Sequence, residues 1–184
     1  MRRYITIQKF RVFGAPVSIH WSVFVVVLML SISALRSPLY ALVAILSYLG
    51  ILFIHECGHA LVARKLHLEV LNIKIGVVHG LCEYEAPGNT WDETLVSWGG
   101  VLAQICIGGI VLSIAVFSGA SSFGHLGPIV AFLGYINLMI AAINLAPTPG
   151  LDGHKAWRIF PMLLDRIRSR RITNKIVKRA NNTR

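Results

Sequence analysis

The chain has 184 residues, 55% of them hydrophobic and 14% charged, with a mean hydropathy of +0.65 and a formal net charge of +10. Soluble domains carry about 25% charged residues, so lipid rather than water is the expected solvent, and the length allows one domain. No nucleic-acid motif accompanies the positive charge, which topology and anionic lipid explain better than a nucleic-acid partner.

Three stretches set the architecture. Residues 17–35 contain no Lys, Arg, Asp or Glu, residues 37–63 contain none except Glu56, and residues 94–151 contain none. The last stretch is interrupted near residues 118–128, where Ser, Gly and Pro accumulate. A helix needs about 20 apolar residues to cross the hydrocarbon core, so four spans are expected, at about 17–35, 38–65, 94–117 and 128–147. The first could serve as a signal sequence, but no small-residue cleavage pattern follows it.

Basic residues orient these spans. Arg2, Arg3, Lys9 and Arg11 precede the first, Arg64, Lys65 and Lys74 follow the second, and ten Lys or Arg lie beyond Asp152, whereas Arg36 alone occupies a loop of opposite parity. That asymmetry places both termini in the cytoplasm of a multi-pass cell-membrane protein. Cys57, Cys82 and Cys106 have no metal-ligand spacing among themselves and read as reduced, structural thiols.

Inside the second span stands His55-Glu56-Cys57-Gly58-His59. Residues four apart share a helix face, so both imidazoles can meet one tetrahedral zinc ion. Glu56, one position round, can act as general base on a metal-activated water without being required as a ligand. The composition produces this pattern by chance only about 0.007 times in such a chain. A carboxylate in a transmembrane helix also costs about 2.5–3.5 kcal/mol on the lenient insertion scale, a penalty that a divalent cation would offset. As separate residues, a span His can hydrogen-bond a neighbouring helix and a span Glu can relay protons.

Between the second and third spans, Ile73, Ile75 and Val77 alternate with Lys74 and Gly76, which predicts a short strand and a hairpin through residues 78–85 with Gly80 near its bend. An edge strand there could hold an extended substrate by backbone pairing; a connecting loop is the plainer alternative. At the start of the third span, Gly99-Gly100-Val101-Leu102-Ala103 reads as a surface for close helix packing.

The third metal ligand has to come from elsewhere. Glu69, Glu83, Glu85, Asp92 and Glu93 fall in the loop and Asp165 in the tail, leaving Asp152 directly after a span. It follows Asn144-Leu145-Ala146-Pro147-Thr148-Pro149-Gly150-Leu151, where prolines and glycine forbid regular helix. Irregular backbone at membrane depth is tolerated where it lines a cavity. The second and fourth spans run the same way, so Asp152 can approach His55 and His59. Asn144 could stabilise a tetrahedral oxyanion or simply bond another helix. His20, His67, His79, His125 and His154 lack partners at helical spacing and are not read as ligands, although His154 is close to Asp152 in sequence.

Residues 154–184 form a basic amphipathic tail in which Trp157, Phe160, Leu163, Leu164 and Ile167 alternate with arginines. A helix lying on the anionic cytoplasmic leaflet as a topology anchor fits this pattern, with fraying from about Asn174. The expected fold is an all-α membrane protein: a polytopic bundle of about four transmembrane helices in residues 1–153, with a short cytoplasmic strand or hairpin insertion.

The two motifs, His55-Glu56-x-x-His59 and Asn144-x-x-Pro147-x-Pro149-x-Leu151-Asp152-Gly153, resemble those of the site-2 protease family of intramembrane zinc metalloproteases. The similarity runs from about Tyr48 to Lys155. It implies zinc held by His55, His59 and Asp152, Glu56 as catalytic acid and base, and Asn144 assisting the transition state. It also implies transmembrane protein substrates such as membrane-tethered transcription factors or anti-sigma factors. Residues 99–104 look like that family's central small-residue motif, with Val101 where proline is common and Gln104 where asparagine often stands. Neither a PDZ domain nor a CBS pair is read in the sequence, so a compact form is expected. A metal-ion transporter, or a catalytically silent protein that captures transmembrane helices, are the alternatives.

Overall fold

Alternation rather than apolar length decides the N-terminal part. The structure, a computed structural model, describes residues 4–77, 80–117 and 127–182; Arg2, Arg3, the hairpin tip at 78–79, the interruption at 118–126, His125 and Arg184 lie outside them. Val17 and Ile19 alternate with Ser18 and His20, and this period of two forms strand β2 (Ala15–His20), not the start of a span. It pairs with β1 (Tyr4–Val12) through the turn at Phe13-Gly14, where both residues have positive φ.

What remains of the first predicted span is helix α1 (Ser22–Ile32), extended to Leu35 by a 3-10 turn. At 1.5 Å per residue it reaches about 21 Å, short of the roughly 30 Å hydrocarbon core. Three helices are long and apolar enough to cross: α2 (Pro38–Lys65), α3 (Thr90–Phe117) and α4 (Gly127–Asn144). The expectation of four spans is corrected accordingly for the described residues. A cap starts α2, with the Ser37 hydroxyl accepting the Tyr40 amide at 3.4 Å and Pro38 in the first turn.

The expectation of an all-α class also needs correction, because the insertion is part of a four-stranded sheet ordered β1-β2-β3-β4. Strand β3 (Val70–Ile75) runs parallel to β2, and β4 (Leu81–Tyr84) closes antiparallel on β3. Thr6, Ser18 and Asn72 hydrogen-bond across three strands, at 3.0 and 3.1 Å, while Lys74 and Glu83 form an ion pair across β3 and β4. On its inner face, Val17, Ile73 and Ile75 pack with Leu52, Ala60 and Ala63 of α2. The sequence had paired β3 with β4 alone; β2, 50 residues earlier, is a non-local partner that periodicity cannot announce.

Helices α2 and α3 cross at two glycines. A Cβ on Gly58 would collide with the Gly99 carbonyl, and one on Gly99 would sit 2.5 Å from the Gly58 carbonyl oxygen. The small residues thus let two backbones touch, as close packing in membranes requires. Beyond α4 the chain makes a short helix α5 (Gly153–Ala156) and then α6 (Ile159–Asn182). On α6, Phe160, Leu163, Leu164 and Ile167 are exposed, and the Arg166 guanidinium stacks 3.7 Å over the Trp91 ring.

Candidate active site

Three of the sequence-selected side chains converge on one point. His55 Nε2 and His59 Nε2 are 3.1 Å apart, and Asp152 Oδ2 lies 3.0 Å from the first and 3.3 Å from the second. Four donors around a tetrahedral ion at 2.0–2.1 Å stand roughly 3.3 Å from each other. The triangle therefore has the dimensions of one face of such a site, and this His-His-Asp group could hold one metal ion. The imidazole rings are nearly perpendicular, at 89°, so their nitrogens meet at a corner rather than stacking.

Each imidazole is oriented from behind. The Nδ1 of His59 is 2.7 Å from the Val96 carbonyl oxygen, and the Nδ1 of His55 is 2.8 Å from Gln104 Oε1. The Gly100 amide also approaches His59 Nδ1, at 3.3 Å; the shorter contact, to a carbonyl that can only accept, makes Nδ1 the protonated nitrogen. Both Nε2 atoms are thereby left to face the third side chain, Asp152, with lone pairs available to a cation.

Asp152 stays in place because the turn that carries it is clamped. Gly150 adopts φ +94, a conformation that favours glycine, and a Cβ on Gly153 would overlap the Leu145 carbonyl. Trp157 Nε1 donates to the same carbonyl at 2.6 Å, and Trp98 Nε1 of α3 donates to the Ala156 carbonyl at 2.9 Å. Glu93 adds ion pairs to Lys155 at 2.8 Å and Arg158 at 3.6 Å. Burial alone would push the Asp152 carboxyl up. Without a cation, His55 and His59, when protonated on Nε2 as well, donate to it and attract it, which outweighs burial and holds it well below the usual carboxylate range.

Glu56 is 2% exposed. One of its carboxyl oxygens engages the Gly80 backbone amide, while Oε2 is buried with no hydrogen-bond partner. A buried carboxyl oxygen left unpaired within a span is costly, and its place beside the triad fits a metal with an activated water. Glu56, the triad and Asn144 line one cavity of about 350 Å³, together with β4 residues Leu81, Cys82 and Tyr84. Asn144 is buried at the end of α4 and lines that cavity. Burial, followed by Glu93, Cys82 and Asp152, pushes the Tyr84 phenol up to about 12, so it stays a proton donor at neutral pH.

Several contributors escaped the sequence reading. Gly100, taken with Gly99 for a packing residue, also makes room for the triad: a Cβ there would lie 2.5 Å from His59 Nε2 and 2.7 Å from His55 Nδ1. Gly80 is likewise pressed against Glu56, its Cβ position only 2.5 Å from Oε1. Trp98 and Trp157 gave no signal at all, since indole donors to distant carbonyls have no sequence spacing. His20 instead contacts the Ser22 hydroxyl at 2.5 Å, and His154 reaches the cavity rim while remaining exposed. His79 lies outside the described residues.

The added methyl of Gly100→Ala must push both imidazoles, an overpacking cost of about 1–3 kcal/mol. Zinc affinity should fall ~10- to 100-fold, as measured by competition with a chromophoric chelator. Unchanged affinity would show that the imidazoles do not form the site.

Three helices are long and apolar enough to cross a membrane, and beneath a small sheet lies a His-His-Asp group that could hold a metal ion. The profile of Peptidase family M50 matches residues 42–105, a segment that holds both histidines and Glu56. A zinc metalloprotease of Methanocaldococcus jannaschii is 24% identical over 155 residues, covering 83% of this chain and 44% of that protein. A Synechocystis sp. relative is 35% identical over 107 residues, 54% of this chain and 26% of that one. The solved structure of the site-2 protease from Methanocaldococcus jannaschii superposes with a TM-score of 0.69 at 21% identity, over 85% of this chain and 71% of that chain. The chain is thus similar to Peptidase family M50 over residues 42–105, and its fold is similar to that of a site-2 protease. It spans less than half the length of these curated relatives.

Proposed function

We propose that this protein is an intramembrane zinc metalloendopeptidase that hydrolyses peptide bonds within or near transmembrane segments of other membrane proteins. The observation that carries the reading is the convergence of His55, His59 and Asp152 to within 3.3 Å of one another beside a carboxylate, Glu56, with one buried oxygen free.

His55, His59 and Asp152 would hold the ion. Zinc, when bound, supplies Lewis acidity that polarises the scissile carbonyl and lowers the pKa of the attacking water towards about 7. Glu56 Oε2 accepts the proton from that water, while the Gly80 amide on the other oxygen keeps the carboxylate aimed. The same Glu56 then delivers the proton to the departing amine. Asn144 extends its amide towards the carbonyl oxygen, where developing negative charge needs a donor. Strand β4 is the edge of the sheet next to this cavity, so an unwound substrate segment can add to it by backbone pairing.

The site lies near the C-terminal end of α2: His59 is six residues, about 9 Å, before Lys65. With basic residues gathered at this end, the site opens towards the cytoplasm. The apolar and arginine-rich α6 then lies against the anionic leaflet.

Metal removal tests the reading. The full chain in liposomes, given a reporter transmembrane helix, should lose cleavage when zinc is stripped by a chelator and recover it when zinc is restored. Cleavage that persists without metal would end this assignment.

A further inference from the structure

Behind the metal triangle, three buried side chains from three helices form one hydrogen-bonded line. His55 of α2 contacts Gln104 of α3, and Gln104 contacts Asn137 of α4. The exposures of Gln104 and Asn137 are both 0% and that of His55 is 6%. Such groups in an apolar bundle must satisfy one another, because lipid offers no hydrogen bonds. We infer that Gln104 is a positioning residue that fixes His55 in the tautomer presenting Nε2 to the metal, and that Asn137 holds Gln104 to that task. The inference rests on the metal-site reading above and deepens it.

The direction of every bond is set by one backbone group. The Gln104 carbonyl oxygen can only accept, and the Asn137 atom 2.8 Å from it must therefore be the amide nitrogen Nδ2. That leaves Asn137 Oδ1 as an acceptor, 3.1 Å from the Gln104 side chain, so the Gln104 atom facing it is Nε2. Gln104 Oε1 is then turned to His55, and an acceptor at 2.8 Å requires a proton on His55 Nδ1. With Nδ1 protonated, the neutral ring has its lone pair on Nε2, the atom 3.0 Å from Asp152.

The shape of α4 supports the same assignment. Residues Val130–Ile136 form a π-helical stretch, and Asn137 is the first residue after it. Wide turns of this kind inside α-helices collect at functional sites. A residue inserted into a helix rotates the remainder of that helix by about 100°; here Asn137, Ala141 and Asn144 share the buried face of α4. One stretch of helix thus supports the metal from behind through Asn137 and reaches the cavity through Asn144.

His59 obtains the equivalent contact from the Val96 backbone carbonyl, which no substitution can remove. The His55 arm is the one that depends on a side chain, and it can be tested. In the purified full chain, Gln104→Leu keeps the volume but removes the acceptor, and zinc affinity should fall ~10- to 100-fold, the usual cost of losing such a partner. Gln104→Glu restores an acceptor to His55 and should lie nearer wild type than Gln104→Leu. Cobalt-loaded Gln104→Leu should show altered visible bands, a change that loss of packing alone does not produce.

Because Gln104→Leu can fail to fold, the tautomer is also read in the wild type. Nitrogen-15 spectra of the zinc-loaded, histidine-labelled chain should show His55 with a proton on Nδ1 and metal on Nε2. Metal on Nδ1, or a folded Gln104→Leu with wild-type affinity, overturns this proposal alone. A wild type that binds no zinc overturns the metal site and this proposal with it.

Discussion

Glu56→Gln is expected to stop reporter cleavage almost completely, lowering turnover by ~10²–10⁴-fold, while zinc still binds. The substitution is nearly isosteric in a residue that is 2% exposed, so packing against its neighbours is kept. A Gln oxygen can still accept the Gly80 amide. The atom that replaces Oε2 becomes an NH₂ group, which donates and cannot take a proton from water. Since His55, His59 and Asp152 are untouched, the zinc content of the purified variant should equal wild type. This pairing of outcomes separates three classes of protein: a metal transporter and a silent helix-capturing protein would both keep their function. Cleavage retained within a few-fold would mean that another group is the base.

The candidate site was legible because its parts are local or nearly so. His55, Glu56 and His59 occupy one helical turn, and that spacing alone puts both imidazoles on one face. Asp152 stands out because it is the acidic residue directly after a span, behind backbone that prolines make irregular. The clamps around it were not legible. Trp98 to Ala156, Trp157 to Leu145 and Glu93 to Lys155 join positions 58, 12 and 62 residues apart, and no periodicity connects them. The sheet was half-visible for a similar reason. β3 and β4 are neighbours in sequence and carry alternation, but the uncharged Val17-Ser18-Ile19-His20 looked like the opening of a span when judged by charge alone. Its period of two was the signal that should have prevailed.

Gly100 and Gln104 show a different limit. A small residue in a span is explained well enough by helix packing, and a buried amide by helix bonding, so neither reading called for anything more. Only when α3 is placed against α2 does Gly100 become the floor under two imidazoles and Gln104 the acceptor behind one of them. Residues that support ligands are chosen by what they face, which a single sequence does not encode locally.

Asp152→Ala should abolish stable zinc binding and, with it, cleavage. Structural zinc sites are worth about 10–16 kcal/mol over four ligands, so one ligand accounts for roughly 3 kcal/mol, or ~10²-fold in affinity. Removing a carboxylate also removes the negative charge that offsets a divalent cation in an apolar bundle, which makes this figure a lower bound. Asp152→Glu keeps the charge but lengthens the arm of a turn fixed by Trp157 and Trp98, so it should recover affinity only in part. The metal-free protein offers a second readout. Because the imidazoles hold the Asp152 carboxyl below its ordinary value of 3.8, the deprotonated form favours the folded state. That contribution is fully present above pH ~4 and fades as the pH falls through the lower, folded-state value. Metal-free wild type should therefore lose stability on acidification below pH ~4 more steeply than metal-free Asp152→Ala, as followed by thermal unfolding. Equal acid sensitivity together with unchanged zinc affinity would remove Asp152 from the site, leaving two imidazoles without the third ligand that a catalytic zinc centre needs.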